Sequence, residues 1–174
     1  MVRVSYTVRK KKQTEVIRRL RHKDIPEIKS MMKEGNVFTD TDVKGISDMI
    51  RNYFLDPEGE EMRTYVYKVD DAVAGFVTFG VDNGVDAYEI YALSVHPDYQ
   101  GRGIGSRLIK FAEARIREKR SRLICISTSS AQEYSPARRL YRRTGYNRVA
   151  MVKDFFSEGE NKIIYCKRLR KKKG

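Results

Sequence analysis

The chain has 174 residues, which is the length of one ordinary domain. Hydrophobic residues make up 40% of it and aromatic residues 10%, so it can bury a core without a disulfide or metal, and a disordered protein is excluded. No apolar run approaches the length of a membrane span, the N-terminal segment is too charged for a signal peptide, and two cysteines are too few for a disulfide framework or a zinc site. We therefore expect a soluble, cytoplasmic, single-domain protein that holds no metal and does not enter a membrane.

The net charge is strongly positive, because 36 lysines and arginines stand against 23 aspartates and glutamates, which gives +13. Two basic runs, residues 9–12 and 170–173, concentrate this charge near the ends of the sequence. Such a surface attracts nucleic acid or another polyanion. A charged fraction of 34% without tryptophan is also typical of thermophile proteins, whose charges form surface ion pairs. Both interpretations stay open.

Hydrophobic patterns divide the first part of the chain into short elements. Apolar and polar residues alternate from Val2 to Val8, which indicates an extra strand within a basic N-terminal extension over residues 1–13. A further strand and two amphipathic helices follow. We predict the strand over residues 15–20 and the helices from about Asp24 and about Asp42.

The middle of the chain is predicted to be an antiparallel meander. Asn83–Gly84 suits a hairpin turn that needs positive φ, so the flanking strands run in opposite directions. The predicted strands cover residues 63–69, 72–81 and 85–95. A helix that ends near Lys119 follows them.

The last part of the chain alternates strands with one helix. Ser135 and Pro136 suit the cap and first position of a helix that ends at Gly145. Strands are predicted over residues 123–127, 146–155 and 162–169, before a basic tail over residues 170–174. The pattern indicates an α/β fold: a single domain whose mixed, mostly antiparallel sheet has about seven strands flanked by about four helices.

A glycine-rich loop joins the meander to the helix behind it, with the sequence Gln100-Gly101-Arg102-Gly103-Ile104-Gly105. Glycines let the backbone approach a ligand closely, and the free N–H groups of a helix N-terminus bind phosphate or pyrophosphate. No Lys-Ser/Thr pair follows the loop, which excludes a nucleotide P-loop. The antiparallel strand before it argues against a dinucleotide-binding fold.

The sequence of this loop resembles the Q/R-x-x-G-x-G/A signature of the GNAT superfamily of acetyl-CoA-dependent N-acetyltransferases. The residues from Leu93 to Tyr99 and from Ala137 to Tyr146 are similar to the same family. The predicted order of elements also resembles the GNAT order. This resemblance implies an N-acetyltransferase domain over residues 14–169.

The resemblance implies an acetyl-CoA site in a cleft where the fourth and fifth core strands separate. Leu93, Ser94 and Val95 would pair through their backbone with the pantetheine arm, as an added strand does. Gln100 and the residues after it would hold the pyrophosphate, the latter through their amides: Gly101, Arg102, Gly103, Ile104, Gly105 and Ser106. The side chain of Arg102 would lie near the cofactor phosphates, and the alternative is a solvent-facing loop charge.

Two tyrosines are further candidates in this comparison. Tyr141 stands at the Leu-Tyr position whose hydroxyl, in the family, bonds to the CoA sulfur and protonates the departing thiolate. The alternative for Tyr141 is a core tyrosine at helical spacing. Tyr134 stands where the family often has an asparagine that contacts the cofactor, so this contact is in question.

Glu89 is the candidate general base, because it lies eleven residues before Gln100, where the histone-acetylating branch of the family has a catalytic glutamate. An acceptor amine must lose a proton, since a lysine-like ammonium has a pKa of about 10.4. Burial beside Tyr88, Tyr91 and Phe79 would raise the pKa of Glu89 toward neutrality. The alternatives are a solvent-facing or Arg-paired glutamate on the opposite sheet surface, and a water relay in place of a direct base.

The histidines and cysteines are interpreted as structural. His96 precedes Pro97 in a turn, and His22 lies near the start of the first helix. Cys125 and Cys166 have no activating neighbour in sequence, so we interpret them as packing residues. The GNAT strand order would bring the two cysteines near one another, which leaves a disulfide open.

Two functions are consistent with these residues. The first is an enzyme that moves acetyl from acetyl-CoA to a primary amine of a protein or small molecule by direct attack in a ternary complex. The alternative is a basic, GNAT-shaped adaptor that binds RNA or ribosomes without turnover. The intact loop with Tyr141 and Glu89 favours the enzyme, and the basic ends favour the adaptor. We expect acceptor choice to reside in residues 35–41 and 155–161, and a homodimer stays open.

Overall fold

A computed structural model describes residues 13–35, 39–57, 59, 62–82, 84 and 86–169. The predicted strand from Val2 to Val8 and the basic tail lie outside these residues. The described chain forms a seven-stranded sheet and four α-helices. In chain order they are β1 (Glu15–Arg19), α1 (Ile25–Glu34), α2 (Asp40–Leu55), β2 (Met62–Val69), β3 (Ala72–Val81), β4 (Ala87–Val95), α3 (Ile104–Glu118), β5 (Leu123–Ser129), α4 (Ser135–Arg143), β6 (Asn147–Ser157) and β7 (Glu160–Arg168).

The strands are ordered β1-β2-β3-β4-β5-β7-β6 across the sheet. β4 and β5 are parallel, and the other neighbouring strands of this sheet are antiparallel. This confirms the predicted α/β fold with a mixed, mostly antiparallel sheet. No helix within the described residues has the length and apolar character needed to cross a bilayer.

Two helix starts differ from the prediction. α2 begins at Asp40, because Thr39 forms a capping box in which its hydroxyl accepts from the Asp42 N–H at 3.2 Å and the Asp42 carboxylate accepts from the Thr39 N–H at 2.8 Å. Ser135 does not cap α4. The N-cap is Tyr134, which makes no side-chain cap bond, because a 3₁₀ turn over Gln132–Tyr134 leads directly into the helix.

The sheet separates two hydrophobic cores. On one face α3 packs its buried residues Leu108, Ile109 and Ala112 against the central strands. On the other face α1 and α2 cover a second core that contains Ile28 and Ile50. This layering buries both faces of the central strands and so fixes which side chains of β4 point to each helix layer.

A β-bulge interrupts β4. Thr78 pairs with Ala92 while Phe79 pairs with Ile90, so the register with β3 passes over Tyr91, which is the extra residue of the bulge. Side chains alternate between the two faces of a strand, and one extra residue reverses that alternation. The residues of β4 before Tyr91 therefore face the opposite side from the one a regular strand would give them.

Cys125 of β5 and Cys166 of β7 form a disulfide with an Sγ–Sγ distance of 2.03 Å. The two residues are direct partners in the antiparallel register of these strands, with their Cα atoms 4.1 Å apart. The interpretation of both cysteines as simple packing residues is therefore wrong. The sheet brings Cys125 and Cys166 together, as the GNAT strand order implied.

Candidate active site

The sheet opens between β4 and β5. Their parallel pairing covers Ala87–Ile90 and Leu123–Ile126, and β5 then continues beside β7. Beyond the opening, Leu93, Ser94 and Val95 pair with β3, and no described strand pairs with their other edge. Backbone groups of this segment that point away from β3 are thus in position to pair with an extended ligand, apart from the Val95 carbonyl, which accepts from Gln100.

The glycine loop leads from this open strand to α3. Gly101 and Gly103 have left-handed backbone conformations, with φ of 74° and 79°, which favour glycine. A Cβ built on either glycine meets no described atom within 4 Å, so both face open space. Gly103 is the N-cap of α3 and makes no side-chain cap bond. The first N–H groups of α3, from Ile104 onward, therefore lack a capping side chain, as an anion site requires.

Gly105 has a different role from the two loop glycines. A Cβ at Gly105 would lie 2.9 Å from Leu140 Cδ2 of α4 and 3.7 Å from Val95 Cγ2. Glycine at this position lets α3 approach α4 and the end of β4 closely. The loop, the open strand and the helix that carries Tyr141 thus meet at one place.

The loop is held by side chains that bond to its backbone. Gln100 donates its Nε2 to the Val95 carbonyl at 3.2 Å, and Arg107 donates to the Arg102 carbonyl at 3.2 Å. Arg107 is itself bonded to Tyr67 and Glu15, so it connects the loop to β1 and β2. Sequence reasoning missed Arg107, because nothing in its spacing marks a contact between α3 and these strands.

The guanidinium of Arg102 folds back over the loop. Its Nη2 donates to the Asp98 carbonyl at 2.9 Å, and its Cζ lies 4.9 Å from the centre of the Tyr99 ring. The side chain is exposed. Arg102 therefore lies where a solvent-facing loop charge would lie. Its guanidinium is also beside the glycine loop, the candidate pyrophosphate site.

Glu89 is half-buried on the sheet face covered by α1 and α2. The Ser127 hydroxyl donates to Glu89 Oε1 at 3.3 Å from the neighbouring strand β5. Burial raises the pKa of Glu89 above its ordinary value, and the negative charge of Asp82 raises it further. A carboxyl group with a raised pKa in a half-buried setting suits a general base.

Two of the neighbours predicted for Glu89 are wrong. Tyr88 and Phe79 belong to the core beneath α3, which is the opposite face of the sheet. Adjacent residues of a strand point to opposite faces, so Tyr88 cannot share the surroundings of Glu89. Ser127, which sequence reasoning missed, supplies the polar contact instead, and only the register of β4 with β5 reveals it.

Tyr141 lies in α4 and is 5% exposed. Its ring packs edge-on against the ring of Tyr165, with centres 5.7 Å apart. Burial raises the pKa of Tyr141 far above its ordinary value, and the neighbouring Tyr134 and Tyr165 add to the shift. The phenol carries its proton at neutral pH, as it would at its ordinary pKa of about 10, and the raised pKa makes it a weaker acid.

Tyr134 connects α4 to the start of α2. Its hydroxyl donates to Asp42 Oδ2 at 3.4 Å. Burial, followed by the charge of Asp42, raises the pKa of Tyr134 to about 12. Sequence reasoning gave Asp42 no contact here, because the two residues are 92 positions apart.

The two histidines have the contacts of structural residues. His96 Nδ1 accepts from the Asp98 N–H at 3.2 Å, and His96 Nε2 lies 3.3 Å from Glu34. The His22 ring stacks on Phe54 with centres 3.7 Å apart. Among the described residues, no group of three or more His, Cys, Asp or Glu side chains is placed to hold a metal ion.

A family model, described as the acetyltransferase (GNAT) family, matches residues 27–146. The chain belongs to the GNAT acetyltransferase family. The match contains the open strand, the glycine loop, α3 and α4, so it covers the elements that form the candidate site. Membership makes the protein an acyltransferase of the N-acetyltransferase class and confirms the resemblance noted in its loop.

Sequence and fold comparisons agree with this GNAT assignment. The chain is 25% identical over 164 residues to an uncharacterised N-acetyltransferase of Methanocaldococcus jannaschii, covering 91% of this chain and 95% of the relative. A crystal structure from Desulfovibrio desulfuricans, described as a GNAT-family acetyltransferase, superposes with a TM-score of 0.83 at 24% identity, covering 89% of this chain and 99% of that one. An acetyltransferase fold from Salmonella typhimurium, solved with its cofactor acetyl-CoA, gives a TM-score of 0.69 at 17% identity, covering 92% and 96%.

Proposed function

We propose that this GNAT protein transfers the acetyl group of acetyl-CoA to a primary amine of a protein or small molecule, by direct attack in a ternary complex. The observation that carries the proposal is the continuous path from the open edge at Leu93–Val95, through Gly101 and Gly103, to the N-terminus of α3. An extended chain with a pyrophosphate at one end fits this path, and acetyl-CoA has that shape. The Salmonella neighbour that binds acetyl-CoA supports the choice of donor.

In this proposal the two ends of the path bind different parts of the donor. The backbone of Leu93, Ser94 and Val95 pairs with the amide groups of pantetheine. The pyrophosphate lies on the amides from Gly101 to Ser106, where the dipole of α3 favours negative charge. Gln100 acts through the backbone, because its side chain already bonds to the Val95 carbonyl and fixes the turn into the loop. Arg102 adds positive charge beside the same loop.

Glu89 takes the proton of the acceptor amine. The free amine is scarce at neutral pH, since a lysine-like ammonium has a pKa of about 10.4. Burial moves the pKa of Glu89 upward, toward the pH at which the enzyme works, and so makes its carboxylate a stronger base. The neutral amine nitrogen then forms a bond to the thioester carbonyl carbon, and the bond between that carbon and the CoA sulfur breaks. The nitrogen releases its surplus proton to solvent, which leaves a neutral amide and balances the proton that restores the Tyr141 phenol after it has protonated the sulfur.

Tyr141 gives its phenolic proton to the departing sulfur. Burial keeps this phenol protonated, and no described residue accepts a hydrogen bond from it, so the proton is available to a ligand. Tyr134 lies close enough to Tyr141 to affect its pKa, and we place it at the same end of the cofactor. The bond from Tyr134 to Asp42 orients it there.

The direct test is release of the CoA thiol when the purified protein is given acetyl-CoA and a panel of amines. The panel contains a lysine peptide, a peptide with a free N-terminus and a polyamine. We expect thiol release that saturates with at least one amine and that yields the acetylated amine by mass spectrometry. Binding of acetyl-CoA without turnover across the panel contradicts the enzymatic proposal and favours a binding protein of GNAT shape.

A further inference from the structure

A cavity of about 340 Å³ lies on the α3 face of the sheet, between the C-terminal half of α3 and strands β1 to β4. Its lining includes Phe111 and Arg115 of α3, whereas the glycine loop is at the other end of that helix. From Ile104 to Arg115 the helix rises by roughly 16 Å, at 1.5 Å per residue. The cavity is therefore separate from the candidate cofactor path.

The base of the cavity is aromatic. Tyr65 and Phe79 stack nearly parallel, with ring centres 5.8 Å apart, and Phe111 meets Tyr65 edge-on at 4.7 Å. Tyr88 completes this set. Tyr65, Phe79 and Tyr88 are buried and Phe111 is half-buried, so Phe111 offers most of the exposed ring surface of this set and the other three rings support it from below. Such a surface suits one flat ring of a ligand.

The rim of the cavity is cationic. Five lysine or arginine residues line it against one carboxylate, Glu118. Arg18 is already paired with Asp24 at 2.7 Å, and Arg115 pairs with Glu118 at 3.3 Å. Arg63 is half-buried and makes no hydrogen bond or ion pair to another described residue. Glu118, the carboxylate of this lining, is paired with Arg115, so a ligand carboxylate would bind the Arg63 guanidinium with two parallel hydrogen bonds.

We propose that this cavity is a second ligand site that binds a small aromatic carboxylate, with its ring on the aromatic base and its carboxylate on Arg63. The volume is at the small end of ligand pockets, which fits a molecule of one or two rings. An occupant contacts Tyr88 on β4, the residue before Glu89. It does not overlap with the proposed acetyl-CoA path.

The test measures binding of three matched probes by calorimetry in the presence of saturating CoA. 4-Hydroxyphenylacetate carries both the ring and the carboxylate, 2-(4-hydroxyphenyl)ethanol carries the ring alone, and acetate carries the carboxylate alone. We expect saturable binding of the first probe, with the other two weaker by about tenfold or more. Equal binding of the ring-only probe, or 4-hydroxyphenylacetate binding that appears only when CoA is left out, overturns the proposal.

Two variants and a control assign the site. Arg63→Gln removes the guanidinium and Phe111→Leu removes a ring, and each is expected to weaken binding of 4-hydroxyphenylacetate by about tenfold. Arg51→Gln, an exposed arginine of α2 outside the cavity, is expected to bind like the wild type. Amide NMR shifts caused by the probe should centre on Arg63 and Phe111 and spare Gly103. Unaltered binding in folded Arg63→Gln, or shifts centred on the glycine loop, refutes the assignment.

Discussion

Glu89 of β4 and Cys125 of β5 are direct partners in the parallel register, so the carboxyl group and the Cys125–Cys166 disulfide share one face of the sheet. Ser127, two residues beyond Cys125, lies on that face as well and donates to Glu89. The carboxyl group thus stands on a half-buried face between the disulfide of β5 and the hydroxyl that donates to it. Partial burial on this face raises the pKa of Glu89, and the Ser127 hydrogen bond lowers it.

Replacing Glu89 with glutamine is expected to lower kcat/KM by roughly a hundredfold or more, because a general base contributes about that much. In the wild type, kcat/KM should fall as the pH drops through the raised pKa of Glu89, since the base becomes protonated. Ser127→Ala should move this acidic limb to higher pH, because the lost hydrogen bond had stabilised the charged form. A pH–rate profile of the three proteins checks this, and an identical limb in Glu89→Gln assigns the limb to another group.

Stability should also respond to Glu89. Its pKa is higher in the folded state than in the unfolded chain, so folding favours the protonated form. The contribution of Glu89 to the free energy of unfolding is therefore most favourable below the unfolded pKa of about 4.3. It is lost as the pH rises through the folded pKa, where the half-buried group must carry a charge. Glu89→Gln is therefore expected to be more stable than the wild type at pH 7, with this advantage reduced at pH 4. Urea unfolding at both pH values measures it, and a destabilised variant at pH 7 contradicts the argument.

Tyr141→Phe is expected to reduce kcat by roughly ten- to a thousandfold with little change in acetyl-CoA affinity, because a general acid acts after the donor has bound. The matched control is Tyr146→Phe, which removes a buried hydroxyl outside the proposed site. Steady-state kinetics with calorimetry of acetyl-CoA binding separate the two effects. Equal turnover by Tyr141→Phe and the wild type would make Tyr141 a packing residue.

Gly103→Ala should weaken acetyl-CoA binding, because alanine disfavours the positive φ and a side chain enters the space beside the loop amides. Gly159 offers a control with the same φ of 79° and the same open surroundings, in the turn between β6 and β7. Both alanine variants should lose about 1–2 kcal/mol of stability from backbone strain. Only Gly103→Ala should lose affinity in calorimetry, and equal affinity in the two variants rules out the loop as the pyrophosphate site.

The disulfide is expected to stabilise the fold by about 4 kcal/mol, because it closes a loop with a sequence separation of 41 residues in the unfolded chain. The double variant Cys125→Ser/Cys166→Ser should unfold at a lower urea concentration than the oxidised wild type. Adding a reductant should lower the urea midpoint of the wild type toward that of the variant. The midpoint of the variant should not change. The expected stabilisation is contradicted if the reductant frees both thiols of the wild type and its urea midpoint stays the same.

The sequence predicts the sheet, the four helices and the glycine loop, because each depends on local patterns: the apolar run in residues 72–81, turn residues before Ala87 and the spacing of the loop glycines. Contacts between distant segments are not encoded in this way. The bonds from Ser127 to Glu89 and from Tyr134 to Asp42 depend on strand register and helix placement, which no local pattern specifies. The wrong neighbours assigned to Glu89 have the same origin.

Because Tyr91 is an extra residue in β4, the number of residues in this strand determines which of its side chains face α3 and which face α1 and α2. Deleting Tyr91 would restore regular alternation and rotate the first half of the strand by half a turn relative to the second. Glu89 would then point into the apolar layer under α3, and Tyr88 and Ile90 would move to the side of α1 and α2. A gene that loses this single codon would still encode Glu89, but on a strand that turns its carboxyl group away from the side on which we propose that the acceptor binds.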